Sequence, residues 1–153
     1  MNCKTDNRTN GGRFEQEVAQ KLYDAGFWVH VLQQNKAGQP ADLIVCKGTF
    51  CTLIDCKVIS GPYFPLSRVE ENQRYAMQRF SDRTNNACWF AMKLPDGNIR
   101  LMSSMCIFDA IRKGAASIPN GIMLDNGMTL EDWTDEADLR CGTMHNDFED
   151  DLK

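Results

Sequence analysis

The sequence predicts an α/β protein in which helices flank a central mixed sheet. Three observations support this. Helical apolar spacing near the N-terminus is followed by short β-branched and aromatic runs. Those runs are interrupted by a further helical stretch, and paired strands and another helix come after it. At 153 residues the chain suits one domain, with 42% apolar and 25% charged residues as in ordinary globular proteins.

Taken in order, a polar lead of residues 1–12 ends at Gly11-Gly12, and a single domain spans 13–141. RFEQEVAQKLYDAGF places Phe14, Val18, Leu22 and Tyr23 at helical spacing with Glu15 beside the stripe, and Gly26 suits the stop. WVHVL reads as a strand and QQNKAGQP as a loop. ADLIVC and FCTLIDCKVI, joined by Lys47-Gly48-Thr49, read as a hairpin, and their continuous hydrophobicity places them centrally in the sheet. GPYFPL is too rich in Gly and Pro to be regular. Ser67-Arg68-Val69-Glu70 has the form of a capping box opening a helix to about Phe80. ACWFAMKL and IRLM form strands around a Pro95–Asn98 turn, and Ser103 or Ser104 caps a helix through Lys113. IMLDNGMTL suits a small hairpin around Asp125-Asn126-Gly127, and Thr129 suits the cap of a short acidic helix. Residues 142–153 read as an acidic, mobile tail.

The net charge of −4 argues superficially against a nucleic-acid partner, but it is unevenly distributed. Residues 1–113 carry 15 basic and 11 acidic side chains, whereas 114–153 carry 2 and 10. A basic body with an acidic extension is the better description. Seven scattered cysteines without a CxxC, and only two histidines, disfavour a zinc or iron–sulfur site; Cys46, Cys51 and Cys56 read as small core residues. No apolar run is long enough to span a membrane, and MNCKTDNRTNGGR lacks a signal-peptide core, so a cytoplasmic protein is expected.

Four side chains fit one chemistry. Asp42 opens the second strand, and Asp55 and Lys57 lie two apart on the third, hence on one face. Two carboxylates facing a common point suit Mg²⁺ or Mn²⁺, and an adjacent lysine can orient water or offset phosphate charge. Glu15 could add a third carboxylate. On spacing alone, an ordinary Asp55–Lys57 surface pair with Asp42 ending a turn fits as well.

The pattern P-x-D followed by D-x-K after 12 intervening residues is similar to the PD-(D/E)xK nuclease superfamily. Residues 11–80 resemble its Holliday junction resolvase branch. GRFEQEVAQKLYDAGFWV resembles the Gly…Glu helix and following strand of archaeal resolvases, and FPLSRVEENQRYAM resembles the segment after the catalytic strand in RecU-type resolvases. Pro40-Ala41-Asp42 stands where the family has P-D, Asp55 stands where Glu is commoner, and no insertion matches the RecU stalk. The resemblance implies a restriction-endonuclease-like core and metal-dependent hydrolysis of DNA, on four-way junctions, by a two-fold homodimer. It implies Asp42 and Asp55 as metal ligands with Glu15 assisting, Lys57 as the water-positioning and charge-stabilising group, and Gln73 as a polar orienting group. Arg8, Arg13, Lys36, Arg68 and Arg74 are the candidate DNA contacts, because phosphate contacts dominate affinity. Rival readings are a less specific phage or restriction-type nuclease and an inactive DNA-binding relative.

Overall fold

The computed structural model describes residues 3–33 and 38–141, with side chains from residue 11 onward. Helix α1 (Cys3–Asp24) leads to β1 (Trp28–Val31), β2 (Leu43–Lys47) and β3 (Phe50–Val58). A short strand β4 (Tyr63–Pro65) and a 3₁₀ turn (Leu66–Arg68) precede α2 (Glu71–Thr84). Then come β5 (Trp89–Lys93), β6 (Ile99–Ser103), α3 (Ser104–Arg112), β7 (Ser117–Pro119), α4 (Asn120–Asn126) and α5 (Leu130–Arg140).

The main sheet has the order β1-β2-β3-β5-β6, so β3 is its central strand as the apolar runs predict. Its neighbours pair antiparallel except β3 and β5, which are parallel and joined through α2. On one face of the sheet Phe14, Val18 and Leu22 of α1 and Trp133 of α5 pack on Leu43, Val45 and Ile54. On the other, Met77 of α2, Ile107 and Phe108 of α3 and Met123 of α4 pack on Leu53, Phe90 and Met92. The result is a three-layer α/β/α sandwich, and alternate residues of β3 serve alternate cores.

Several local expectations hold. Gly26 ends α1 with φ +92, and Gly48 (φ +57) forms the tight β2–β3 turn, both in the region that favours glycine. Ser103 caps α3 by accepting from the Met105 amide, and Thr129 caps α5 by accepting from the Asp132 amide.

Others are corrected. The helix does not begin at residue 13: α1 extends back to Cys3, through Gly11-Gly12. Two glycines cost a helix only about 0.5–1 kcal/mol each, and no proline interrupts it. Tyr23 is exposed rather than part of the buried stripe. The Ser67 capping box does not form. Buried Leu66 draws the chain into a 3₁₀ turn, Val69 is extended, and α2 starts three residues later with Glu70 at its N-cap. The expected hairpin at Asp125–Gly127 is the end of α4 instead. The Gly127 amide donates to the Met123 carbonyl at 2.8 Å, and Met128 alone bridges to Leu101. Tyr63–Pro65 is regular after all, because β7 supplies an antiparallel partner 50-odd residues away in sequence.

Candidate active site

The β2–β3 register pairs Leu43 with Ile54, and both face the α1 layer. One step further, Asp42 and Asp55 therefore come side by side at the end of the hairpin, with Asp55 on the side of α2, from which Gln73 reaches it. The backbone pins this end of the hairpin. The Asp42 amide donates to the Ile54 carbonyl at 3.1 Å, and the Asp42 carbonyl accepts from Leu32 at 2.8 Å. The Cys56 amide donates to Asp42 Oδ2 at 2.7 Å, which fixes the carboxylate against β3.

Asp55 is buried and held from two sides. Gln73 Nε2, from α2, donates to its Oδ1 at 2.6 Å, and Lys57 Nζ lies 2.9 Å from its Oδ2. Despite that short ion pair, Oδ2 receives no hydrogen bond of acceptable geometry, and Gln73 Oε1 is likewise buried without a donor. The Lys57 ammonium is therefore an ion-pair partner of Oδ2 and not a hydrogen-bond donor to it. Beneath, Phe90 and Met92 of β5 stand opposite Asp55 and Lys57 and form an apolar floor. Glu15 arrives from the α1 layer, so both helical layers contribute to this end of the sheet.

Three carboxylates and one lysine make the site electrostatically unbalanced. Burial first, and the charge of Asp55 second, push the Asp42 carboxyl up to about 8, although the Cys56 amide pulls against them. Glu15 is also raised, by burial and then by Asp55, while a hydrogen bond from Asp42 and the charge of Lys57 oppose the rise. A site that strains to keep its carboxyls ionised is one that a cation would relieve.

The residues fit a hard divalent cation. The donors are oxygens, one buried carboxylate oxygen lacks a hydrogen bond, and negative charge exceeds positive. Among the described residues no three Asp, Glu, His or Cys side chains close into a cage.

The structure thus brings together all five of Glu15, Asp42, Asp55, Lys57 and Gln73. The basic candidates are placed less uniformly. Arg13 is exposed on α1. Arg68 donates to the Val58 carbonyl at 2.8 Å and sits 5.6 Å over the Phe64 ring, tied to the loop that leaves β3. Arg74 lines a cleft of about 1170 Å³ between α2 and α3 with Tyr75, Met105 and Arg112. The side chain of Arg8 and all of Lys36 lie outside the described residues.

A family model described as archaeal Holliday junction resolvase (Hjc) matches residues 6–140. The chain belongs to that family. It is therefore a nuclease of the Holliday junction resolvase kind, which hydrolyses DNA phosphodiester bonds in recombination and repair and acts in general with a divalent metal. The fold agrees: the 1.6 Å structure of Archaeoglobus fulgidus Hjc, a Holliday junction resolvase from an archaeal hyperthermophile, is similar with a TM-score of 0.64 at 17% identity. That match covers 81% of this chain and 99% of the other. No curated protein matches the chain in sequence. The central sheet and flanking helices are the restriction-endonuclease-like architecture that the Hjc resemblance implies. Among the described residues, no helix is long and apolar enough to cross a membrane.

Proposed function

We propose that this resolvase cuts four-way DNA junctions with Mg²⁺, or Mn²⁺ in its place, using Asp42 and Asp55 as the metal ligands. The observation that carries the reading is the convergence of Asp42, Asp55 and Lys57 at one end of the β2–β3 hairpin, with Asp42 fixed against β3 by the Cys56 amide and Lys57 Nζ 2.9 Å from Asp55 Oδ2. A bound divalent ion supplies positive charge at the scissile phosphate and acidifies water. Glu15 assists from α1, directly or through water. Gln73 fixes Asp55 Oδ1 through its amide and so presents Oδ2 to the site. Lys57 orients the attacking water and offsets the charge that develops on the phosphate. Attack in line with the leaving oxygen yields 5′-phosphate and 3′-hydroxyl ends. Arg13, Arg68 and Arg74 are proposed to hold phosphates, together with Arg8 and Lys36.

Symmetric resolution needs two equivalent cuts, so the working unit is a two-fold homodimer, testable by sedimentation. The central test incubates wild type and Asp55→Asn with a synthetic four-way junction and a linear duplex, in Mg²⁺ or EDTA. Paired symmetric nicks are expected on the junction with wild type and Mg²⁺ only. Cleavage that persists in EDTA or in Asp55→Asn contradicts the assignment of the metal ligands. Equal cleavage of the linear duplex contradicts junction selectivity.

A further inference from the structure

The sheet face that carries Asp55 and Lys57 extends to a second feature that the hydrolytic reaction does not use. In β1, Val29 and Val31 turn towards the α1 layer, so Trp28 and His30 turn the opposite way. The register places Trp28 in one row with Cys46 and Cys51, and His30 in the next with Ile44 and Leu53. Leu32, Asp42 and Asp55 form the row after that, with the Leu32 amide bonded to the Asp42 carbonyl at 2.8 Å. His30 is therefore one strand repeat and one strand spacing from Asp42, a separation of roughly 8 Å.

The two rings are parallel to within 8°, with centroids 5.9 Å apart, and Trp28 leaves 59% of its surface in water. A single exposed aromatic would carry little meaning. Here two rings lie parallel on one strand, on the same face as Asp55 and Lys57. The two rows that bear them contain no acidic side chain.

We propose that Trp28 and His30 form a stacking platform for a nucleobase of the DNA substrate, with His30 on the side nearer the scissile phosphate. The proposal rests on the reading of Asp42, Asp55 and Lys57 as the hydrolytic centre. Bases at the exchange point of a branched DNA have lost a regular stacking neighbour, and an aromatic face accepts any base without reading its edge. The platform favours branched over continuous DNA for that reason, with no sequence preference.

The test uses the full-length protein carrying Asp55→Asn, without metal, and a junction with 2-aminopurine at its centre. Trp28→Ala and His30→Ala remove the platform. Trp28→Leu keeps a strand-forming apolar side chain without a π face, and Trp28→Phe keeps the face. Junction affinity should fall about 5- to 100-fold in Trp28→Ala and Trp28→Leu. Linear-duplex affinity should hold, Trp28→Phe should retain most binding, and ring-dependent quenching of 2-aminopurine should disappear. Unchanged junction affinity and quenching in Trp28→Leu would overturn the platform. So would an equal loss on duplex and junction, or a shift from dimer to monomer with quenching intact. Cleavage by wild type is scored separately with Mg²⁺: its absence counts against the hydrolytic reading, whereas the metal-free quenching judges the platform.

Discussion

Asp42 shows how a residue's surroundings set its chemistry. Its carboxyl is pushed up to about 8 by burial and by Asp55, whereas in the unfolded chain it returns to the ordinary carboxylate range. A carboxyl raised in this way contributes its stability fully below about pH 4, and that contribution is lost as the pH climbs towards about 8. A bound cation favours the ionised form. The rise in melting temperature on adding Mg²⁺ should therefore grow between about pH 6 and about pH 8.5 and flatten in Asp42→Asn, as scanning fluorimetry can check. Lys57→Ala should abolish cleavage while leaving junction binding intact in a gel-shift assay. Gln73→Ala should lower activity about 10- to 100-fold, because it frees Asp55 Oδ1 without removing a ligand. Full activity in Gln73→Ala would reduce Gln73 to a packing residue. The types and order of these residues are legible in the sequence. The Gln73–Asp55 bond is less so, since nothing in the FPLSRVEENQ segment shows where a 3₁₀ turn ends and α2 begins.

At the scale of elements, strands were easier to read than the segments between them. β2, β3, β5 and β6 declare themselves because each carries an apolar run that meets a Gly- or Pro-containing turn on at least one side. The Asp125-Asn126-Gly127 triplet misleads, because it has the composition of a hairpin turn but closes α4 under tertiary constraint. A Cβ on Gly127 would lie 2.5 Å from the Met123 carbonyl oxygen and 2.8 Å from Arg100 Cβ, so the position requires a close approach rather than a special φ. Gly127→Ala should cost roughly 1–3 kcal/mol in urea denaturation through overpacking. Thr129→Ala two residues later should cost about 1 kcal/mol by removing the α5 cap. Gly127→Ala at wild-type stability would mean that the α4–β6 contact is loose. In β1 the alternation of WVHV is visible in the sequence, but which pair faces the carboxylates depends on its pairing with β2.

For the whole molecule, the distribution of charge matters more than its total. Residues 142–153, outside the described structure, carry four acidic side chains and one basic one. Deleting them should raise affinity for linear duplex at about 50 mM salt, and the difference should vanish at higher salt as screening shortens the reach of those charges. Unchanged affinity at low salt would make the segment irrelevant to DNA. The α/β class, the central hairpin and the resolvase resemblance were all legible in the chain's local pattern, because apolar periodicity and the spacing of charged residues within one strand are local properties. The sequence also held Glu15, Asp42, Asp55, Lys57 and Gln73 as a set. Long-range packing settled that α1 and α2 meet the same end of the sheet from opposite faces, that Gln73 holds one oxygen of Asp55 while Lys57 pairs with the other, and that Trp28 and His30 share the face of Asp55 and Lys57. Those facts depend on strand register and layer packing, which are settled by contacts between segments far apart in the chain.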